Sequence, residues 1–164
     1  MIASSNINAF FQLISFTFQQ ANDDIKFVLL EDSLLLWYAL CKLTGIPYNK
    51  SLHDLFAVIL DIYSLDNKLF PVLMNLIDWY IQSGKQTFLA AYQGALTGIY
   101  STYFSVVSPK ELPRLVSSVH ALLICYPMEG SFIISPLLDS LLSLILNKHQ
   151  GEQIEKYAIQ KGDF

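Results

Sequence analysis

The sequence predicts an all-α fold, an α-α superhelix of the HEAT or armadillo type with about three helix pairs and one flanking helix. Six or seven helix-length apolar segments follow one another with no strand-like segment between them. Three helix pairs open near Glu31, Asp66 and Pro109, which are 35 and 43 residues apart. A two-helix unit that recurs at about 40 to 47 residues is typical of such solenoids, because one pair cannot bury its own apolar face and must stack on neighbours.

The composition fits a densely packed helical array. Of the 164 residues, 53% are hydrophobic and 15% are charged. The usual charged fraction is about a quarter, and a low charged fraction with a high hydrophobic fraction argues against disorder. No charged side chain occurs before Asp23, as expected of a segment cut from a longer array. We expect residues 1–164 to form one HEAT-repeat segment, with pairs near 31–63, 66–107 and 109–148 and a flanking helix at 6–22.

Charge and cysteine content limit the partners. The net charge of −4 provides no basic field for a phosphate backbone, so we expect no nucleic acid ligand and favour a basic protein partner. Cys41 and Cys125 lie far apart in apolar helical contexts. They are predicted to be buried thiols rather than a disulfide or metal ligands, which favours a reducing compartment.

The first two predicted helices are a flanking helix at 6–22 and the opening helix of the first pair. Apolar residues recur on one face of the flanking helix, while polar residues occupy the other. Glu31 and Asp32 are expected in the first turn of the second helix, where carboxylates stabilise the helix dipole. Gly45 and Pro47 end that helix. The predicted core residues are Ile7, Phe10, Phe11, Ile14 and Phe18, followed by Leu34, Leu35, Trp37, Tyr38 and Cys41.

The third and fourth helices have clear apolar stripes. Ser51 is the expected N-cap of the third and Asp66 that of the fourth. Pro71 delays or kinks the start of the fourth helix, and Ser83 with Gly84 ends it. The stripes are Leu52, Leu55, Phe56, Ile59, Ile62 and Tyr63, then Leu69, Leu73, Leu76, Ile77 and Tyr80, while His53, Asp54, Ala57 and Asp61 face away.

The fifth helix, residues 86–107, lies in an uncharged stretch that is long enough to span a bilayer, which takes about 20 residues. Its recurring Gln, Thr and Ser residues favour a buried soluble helix, and Lys85 and Lys110 give no orientation bias. We therefore expect no membrane association. Gly94 and Gly98 each weaken this helix by about 1 kcal/mol unless close helix packing compensates, and we expect such packing.

Prolines mark the last two helices. Ser108 and Pro109 open the sixth, Pro113 delays its start, and Tyr126 precedes the proline that ends it. The seventh helix, residues 128–148, is expected to bend at Pro136. The inward residues are predicted to be Leu112, Leu115, Val116, Val119, Leu122 and Leu123, then Ile134, Leu137, Leu138, Leu141, Leu142 and Ile145.

Four segments on these helices carry a family resemblance. They are Glu-Asp-Ser-Leu-Leu-Leu-Trp at 31–37, Leu-Phe at 55–56, Phe-Leu-Ala-Ala-Tyr at 88–92, and the proline-containing segment 132–138. Over about residues 31–146 the chain resembles the C-terminal half of β-type importins, the HEAT-repeat nuclear transport receptors, and most closely the importin-eleven type.

This resemblance implies a role in transport. Inner helices at 51–63, 86–107 and 128–148 would line a concave surface that receives protein cargo, and the protein would shuttle between nucleus and cytoplasm. Ran GTPase and nucleoporins would bind through the parent receptor. The N-terminal repeats that carry the family's main Ran contacts are not represented here, so this chain alone is not expected to transport cargo.

Catalytic motifs do not emerge from the sequence. We find no Gly-rich phosphate loop, nucleophile elbow or metal-spaced ligand pair, and His53, His120 and His149 lie in different elements. Each histidine is expected to be an ordinary surface or half-buried residue. Trp37 and Trp79 continue apolar faces, so core packing is favoured over a role as interface anchors. We expect neither enzymatic activity nor a cofactor.

Four acidic residues are candidates for cargo binding. Asp54 and Asp61 are seven apart on the third helix, so they share a face that can meet basic side chains; the alternative is a solvated helix face. Glu129 and Asp139 on the seventh helix support the same hypothesis less strongly.

The predicted function is a protein-binding segment of an importin-like nuclear transport receptor, contributing to a concave cargo-binding surface. One alternative is a HEAT-repeat scaffold of an unrelated complex, since fold does not fix function. A lesser alternative is a membrane-embedded helical protein, which only the uncharged fifth helix favours.

Overall fold

The computed structural model describes residues 4–19, 23–43, 47–64, 67–143 and 146, and every regular element among them is helical. The helices are α1 (Ser4–Gln19), α2 (Asp23–Leu43), α3 (Lys50–Ile62), α4 (Phe70–Val106), α5 (Leu112–Cys125) and α6 (Pro127–Ile134). Short 3₁₀ turns at Asn67–Leu69 and Ser135–Leu137 precede α4 and follow α6. The predicted all-α fold is confirmed. Asp66, Ile145, Lys148 and His149 lie outside the described residues.

Helix α4 consists of two arms, residues 70–84 and 86–106, that meet at Lys85. This residue has φ 49° and ψ −149°, a conformation that L-residues rarely adopt. The close approach of Phe88 and Tyr48 explains the glycine that precedes Lys85, because a Cβ at position 84 would clash with Phe88 Cβ and would lie 2.9 Å from Tyr48 Cε2. The sequence predicted this break from Ser83 and Gly84. None of the described helices has the length and apolar content that a membrane crossing requires.

The helices form two layers. The first layer comprises α2, residues 70–84 and α5. Within it, Trp37 lies edge-on to Tyr80, and Arg114 forms an ion pair with Asp78. The second layer comprises α1, α3, residues 86–106 and α6. Within it, α1 packs on α3, and the Tyr92 hydroxyl donates a hydrogen bond to a carbonyl of α3.

Contacts within each layer join residues at a nearly constant sequence offset. Tyr92 with His53 and Arg114 with Asn75 are 39 residues apart, Tyr103 with Tyr63 and Ser118 with Asp78 are 40 apart, and Gln86 with Glu129 are 43 apart. A constant offset means that each helix pair stacks on the previous pair in the same orientation. The described chain is therefore an all-α repeat superhelix, as predicted.

A continuous apolar core runs along the stack. Phe56 is fully buried, and its ring centroid lies 4.9 Å from that of Tyr80, 4.7 Å from that of Phe88 and 4.6 Å from that of Tyr92. Such edge-on and tilted aromatic pairs stabilise a core beyond their buried area. The predicted stripes of the third and fourth helices form much of this core, since Leu52, Leu55, Phe56, Ile59, Ile62, Leu69, Leu73, Leu76, Ile77 and Tyr80 are all buried.

Two predictions about helix starts are wrong. Helix α2 begins at Asp23, so Glu31 and Asp32 are exposed residues in its middle rather than members of its first turn. The N-cap of α3 is Asn49, whose side-chain oxygen accepts a hydrogen bond from the Leu52 amide at 3.1 Å. Asn49 has the extended backbone that an N-cap needs, whereas Ser51 is already helical.

Helix α5 begins after a turn rather than at Ser108. The amide and hydroxyl of Ser108 both donate to the Glu111 carboxylate, at 3.1 and 2.6 Å, and the helix starts at Leu112. The prediction that Pro113 delays the start is confirmed, because this proline stands in the first turn, where its missing amide proton costs no helical hydrogen bond.

Several predicted packing positions are exposed. A Cβ built at Gly94 or Gly98 would have no neighbour within 4 Å, so close packing does not explain these glycines. Leu138 and Leu142 are exposed because the 3₁₀ turn around Pro136, with about 3.0 residues per turn, shifts the helical phase after it. Leu35, Val116 and Cys125, which were predicted to be buried, are exposed as well.

Candidate protein-binding site

A groove of about 710 Å³ lies between α1 and α3, in the second layer. Its apolar lining is Phe11, Phe16 and Phe18 from α1 with Leu55 and Val58 from α3, and its polar lining is Gln12, Ser15, Ser51, Asp54 and Asp61. Phe16 is 58% exposed, although it lines the groove. A large aromatic ring that remains open to solvent is typical of a protein-binding surface.

Two of the four predicted acidic residues line this groove. Asp54 and Asp61 are both exposed on α3, and seven residues of helix place them about 10.5 Å apart along the axis. Asp54 forms an ion pair with Lys50 at 3.0 Å, whereas Asp61 forms none within the described parts of the chain. The sequence predicted the shared face. It did not predict the groove, because the position of α1 depends on tertiary packing.

The other two acidic candidates lie elsewhere. Glu129 on α6 accepts a hydrogen bond from Gln86 Nε2 at 3.1 Å, so this carboxylate joins neighbouring helices of the second layer. Asp139 is exposed in helical residues 138–143. Neither residue lines the groove, and their role in binding remains a prediction.

His53 supports α3 and does not face away as predicted. Its Nδ1 lies 2.6 Å from the Tyr48 hydroxyl, and its ring centroid lies 5.0 Å from that of Tyr92. Burial, with a smaller contribution from nearby negative charge, raises the pKa of Tyr48 to about 12, so the phenol stays neutral at physiological pH. These contacts fix the start of α3 and thereby the position of Asp54 at the groove.

A second cavity, of about 680 Å³, lies at the break in α4. Trp79 and Tyr48 form its aromatic wall, and Lys42 and Lys85 lie at its edge. The thiol of Cys41 also lines it, and burial raises the pKa of this thiol to about 12. Because thiolates rather than thiols are nucleophilic, this shift lowers the reactivity of the Cys41 thiol.

A polar network that sequence reasoning missed joins the first arm of α4 to α5. Arg114 pairs with Asp78 at 2.7 Å and donates to Asn75 at 2.8 Å. Ser118 is fully buried and bonds to both Asp78 and Tyr100. Asn75 and Asp78 are three residues apart, and Arg114 and Ser118 are four apart, so each pair lies on one face of its helix. This spacing in the sequence would have indicated the network.

The described residues contain no group of three or more His, Cys, Asp or Glu side chains that could hold a metal ion. The groove between α1 and α3 combines apolar and acidic side chains.

A family model described as importin-11-like, TPR repeats, matches residues 4–161. The chain belongs to the importin-11-like family. This match confirms the predicted resemblance and extends it to α1, which forms one wall of the groove. No curated protein and no solved structure matches the chain.

The repeat period distinguishes TPR repeats from HEAT repeats, which both consist of stacked helix pairs. TPR repeats recur at about 34 residues and HEAT repeats at about 40 to 47. The hydrogen bonds between corresponding helices of neighbouring pairs in this importin-11-like chain span 39 to 45 residues, which lies at the HEAT end. In both classes each pair buries its apolar face only against its neighbours.

Proposed function

We propose that this chain is a protein-binding segment of an importin-like nuclear transport receptor and contributes to the surface that receives cargo. Membership of the importin-11-like family supports a transport receptor. The observation that carries the binding role is the groove between α1 and α3, where Asp54 and Asp61 stand beside exposed Phe16.

The groove fits a protein better than a small molecule. It is open along α3, with Ser51, Asp54 and Asp61 spread over most of the helix. Small-molecule sites instead bury most of the ligand surface in a concave pocket. The two carboxylates and the net charge of −4 favour a basic partner. Recognition would rest on shape and charge, without covalent chemistry.

The second layer supplies the cargo surface in this proposal. Helices α1 and α3, residues 86–106 and α6 lie side by side in it, so a cargo that contacts the groove can continue along neighbouring repeats. Solenoids use such extended surfaces for binding. Ran GTPase and nucleoporins would act through the parent receptor, which shuttles between nucleus and cytoplasm.

The test is affinity capture by the natural protein that contains this chain, with and without Ran loaded with a non-hydrolysable GTP analogue. Proteins released by Ran are scored as cargo. We expect a Ran-released set, and we expect Asp54→Lys with Asp61→Lys to remove its basic members. The control, Glu31→Lys with Asp32→Lys, makes the same charge change at exposed positions of α2 that do not line the groove. Absence of any Ran-released protein would overturn the proposal.

A further inference from the structure

We infer that the groove between α1 and α3 binds one amphipathic basic helix of the partner, an inference that rests on the proposed function. The groove is lined along α3 from Ser51 to Asp61. Ten residue steps correspond to about 15 Å of helix, or roughly three turns. The site is thus long enough for a short helical segment and too short for a whole domain face.

Charge spacing identifies the chemistry of the occupant. Asp54 and Asp61 line the groove two helical turns apart. A partner helix lying along α3 presents side chains at the same spacing, so lysines or arginines at positions i and i+7 can meet both carboxylates in either chain direction. Asp61 has no ion pair with any described residue, and Asp54 has only the exposed Lys50, whose pairing is weak.

The apolar wall provides an anchor between the two charges. Phe16 is 58% exposed and Val58 is half-buried, while Phe11 and Phe18 form a buried floor. An apolar side chain three or four residues after the first basic residue of the partner would face this wall. Grooves that bind amphipathic helices use such anchors, and a few central anchors supply most of the affinity.

Backbone chemistry favours a helix over an extended segment. The walls of the groove are side chains of two helices, and the backbone groups beyond the first turn of α3 are already hydrogen-bonded within the helices. An extended peptide would find no continuous row of backbone partners for its amides, whereas a helix satisfies its own backbone. A second copy of this chain fits less well, because each copy carries a net charge of −4.

The test uses a designed helical peptide as the probe, and its binding to the chain is measured by fluorescence anisotropy at low salt. The probe carries two lysines seven residues apart with leucines between them on the same face. Its control has glutamates in place of the lysines. We expect Phe16→Ala to weaken binding of the lysine peptide about tenfold. Phe132→Ala, at a ring of similar exposure (66%) on α6, should leave binding unchanged.

Charge removal provides the second arm of the test. Asp54→Asn with Asp61→Asn should weaken binding of the lysine peptide about fivefold, as expected for two exposed ion pairs. Glu31→Gln with Asp32→Asn, which changes the net charge equally outside the groove, should weaken binding of the lysine peptide much less than the groove pair does, because screening reduces the effect of distant charges. Equal binding of the lysine and glutamate peptides would overturn the inference. So would sedimentation showing a dimer that Phe16→Ala dissolves, because the occupant would then be a second copy.

Failure of this inference can be told apart from failure of the proposed function. If Ran-released proteins persist on the Phe16→Ala variant of the natural protein, the groove is not their site and the inference falls, while the transport role stands. If no protein is released by Ran but the lysine peptide binds as expected, the transport role falls and the groove assignment stands.

Discussion

Ser118 on α5 donates a hydrogen bond to the carboxylate of Asp78, which lies 40 residues earlier on the first arm of α4. The Asp78 carboxylate, which pairs with Arg114, is ionised and can only accept hydrogen bonds. The hydroxyl proton of Ser118 therefore points to Asp78. Tyr100, which is fully buried, must then donate its own proton to Ser118 Oγ at 2.9 Å. One serine thus connects both arms of α4 to the next repeat.

Removal of this serine should destabilise the repeat stack. Ser118→Ala leaves the buried Tyr100 hydroxyl without an acceptor, and we expect a loss of about 1 to 3 kcal/mol in the free energy of unfolding, measured by urea denaturation. Tyr100→Phe alone should cost about 1 kcal/mol, because Ser118 keeps its bond to Asp78. In the Ser118→Ala background Tyr100→Phe should cost nothing further. Fully additive losses would show that the two hydroxyls are not coupled.

The cap of α3 can be tested in the same way. Asn49→Ala removes the acceptor of the Leu52 amide and should lower the free energy of unfolding by about 1 kcal/mol. Ser51→Ala should change it little, since this exposed serine makes no capping bond. Thermal unfolding followed by circular dichroism measures both. A larger loss for Ser51→Ala would restore that residue as the cap.

The two thiols should differ in reactivity. Cys125 is exposed, whereas Cys41 is buried and burial raises its pKa to about 12. At pH 8 we expect one thiol of the folded chain to react rapidly with Ellman's reagent and the second only after denaturation. Cys125→Ser should abolish the rapid phase, and Cys41→Ser should not. Two rapid thiols in the unmodified chain would contradict the buried position of Cys41.

High pH should unfold the chain through its buried phenols and thiol. Burial raises the pKa of Cys41 from 9.0 and of Tyr48 from 10.0, each to about 12, and it raises the pKa of Tyr80 well above 10.0. These groups bind protons more tightly in the folded state, so their contribution to stability is complete below about pH 9 and is lost as pH rises toward 12.

Absorbance at 295 nm and circular dichroism at 222 nm follow this transition. We expect most phenolate to appear together with the loss of helix, above the pH at which free tyrosine ionises. Full tyrosine ionisation near pH 10 with helicity retained would contradict the burial of Tyr80, Tyr100 and Tyr103.

Lys50 should weaken binding at the groove. Its ammonium lies 3.0 Å from Asp54 and competes with a basic partner, although the pair is exposed. Lys50→Gln should therefore raise the affinity for the lysine peptide about twofold at low salt, with a smaller gain at high salt because exposed charges are screened. A fall in affinity would indicate that Lys50, rather than Asp54, contacts the partner.

The sequence predicted those features that depend on local periodicity. The stripe of α3 from Leu52 to Ile62 is buried as predicted, because a 3.6-residue repeat fixes which face of a helix is apolar. The break after Gly84 and the late start at Pro113 followed from backbone chemistry that involves only neighbouring residues. The period of about 40 residues gave the fold class, since stacking is the one way for such pairs to bury their faces.

Features that depend on packing between helices were missed. Asp54 and Asp61 could be placed on one face, but the apolar wall opposite them comes from Phe16, whose position requires the docking of α1. Leu138 was predicted to point inward because the sequence indicated only a bend at Pro136. The structure has a 3₁₀ turn there, which rotates Leu138 outward. The Asp78 network was missed because its residues lie on three helical segments.

Photo-crosslinking from position 16 tests whether a partner helix binds in the groove between α1 and α3. Phe16 is replaced by benzoyl-phenylalanine in the chain, Phe132 is replaced likewise in a control, and each is irradiated with the lysine peptide. We expect an adduct from position 16 that excess unlabelled lysine peptide prevents, and none from position 132. Adducts from position 132 alone, or equal yields from both positions, would contradict a partner site between α1 and α3.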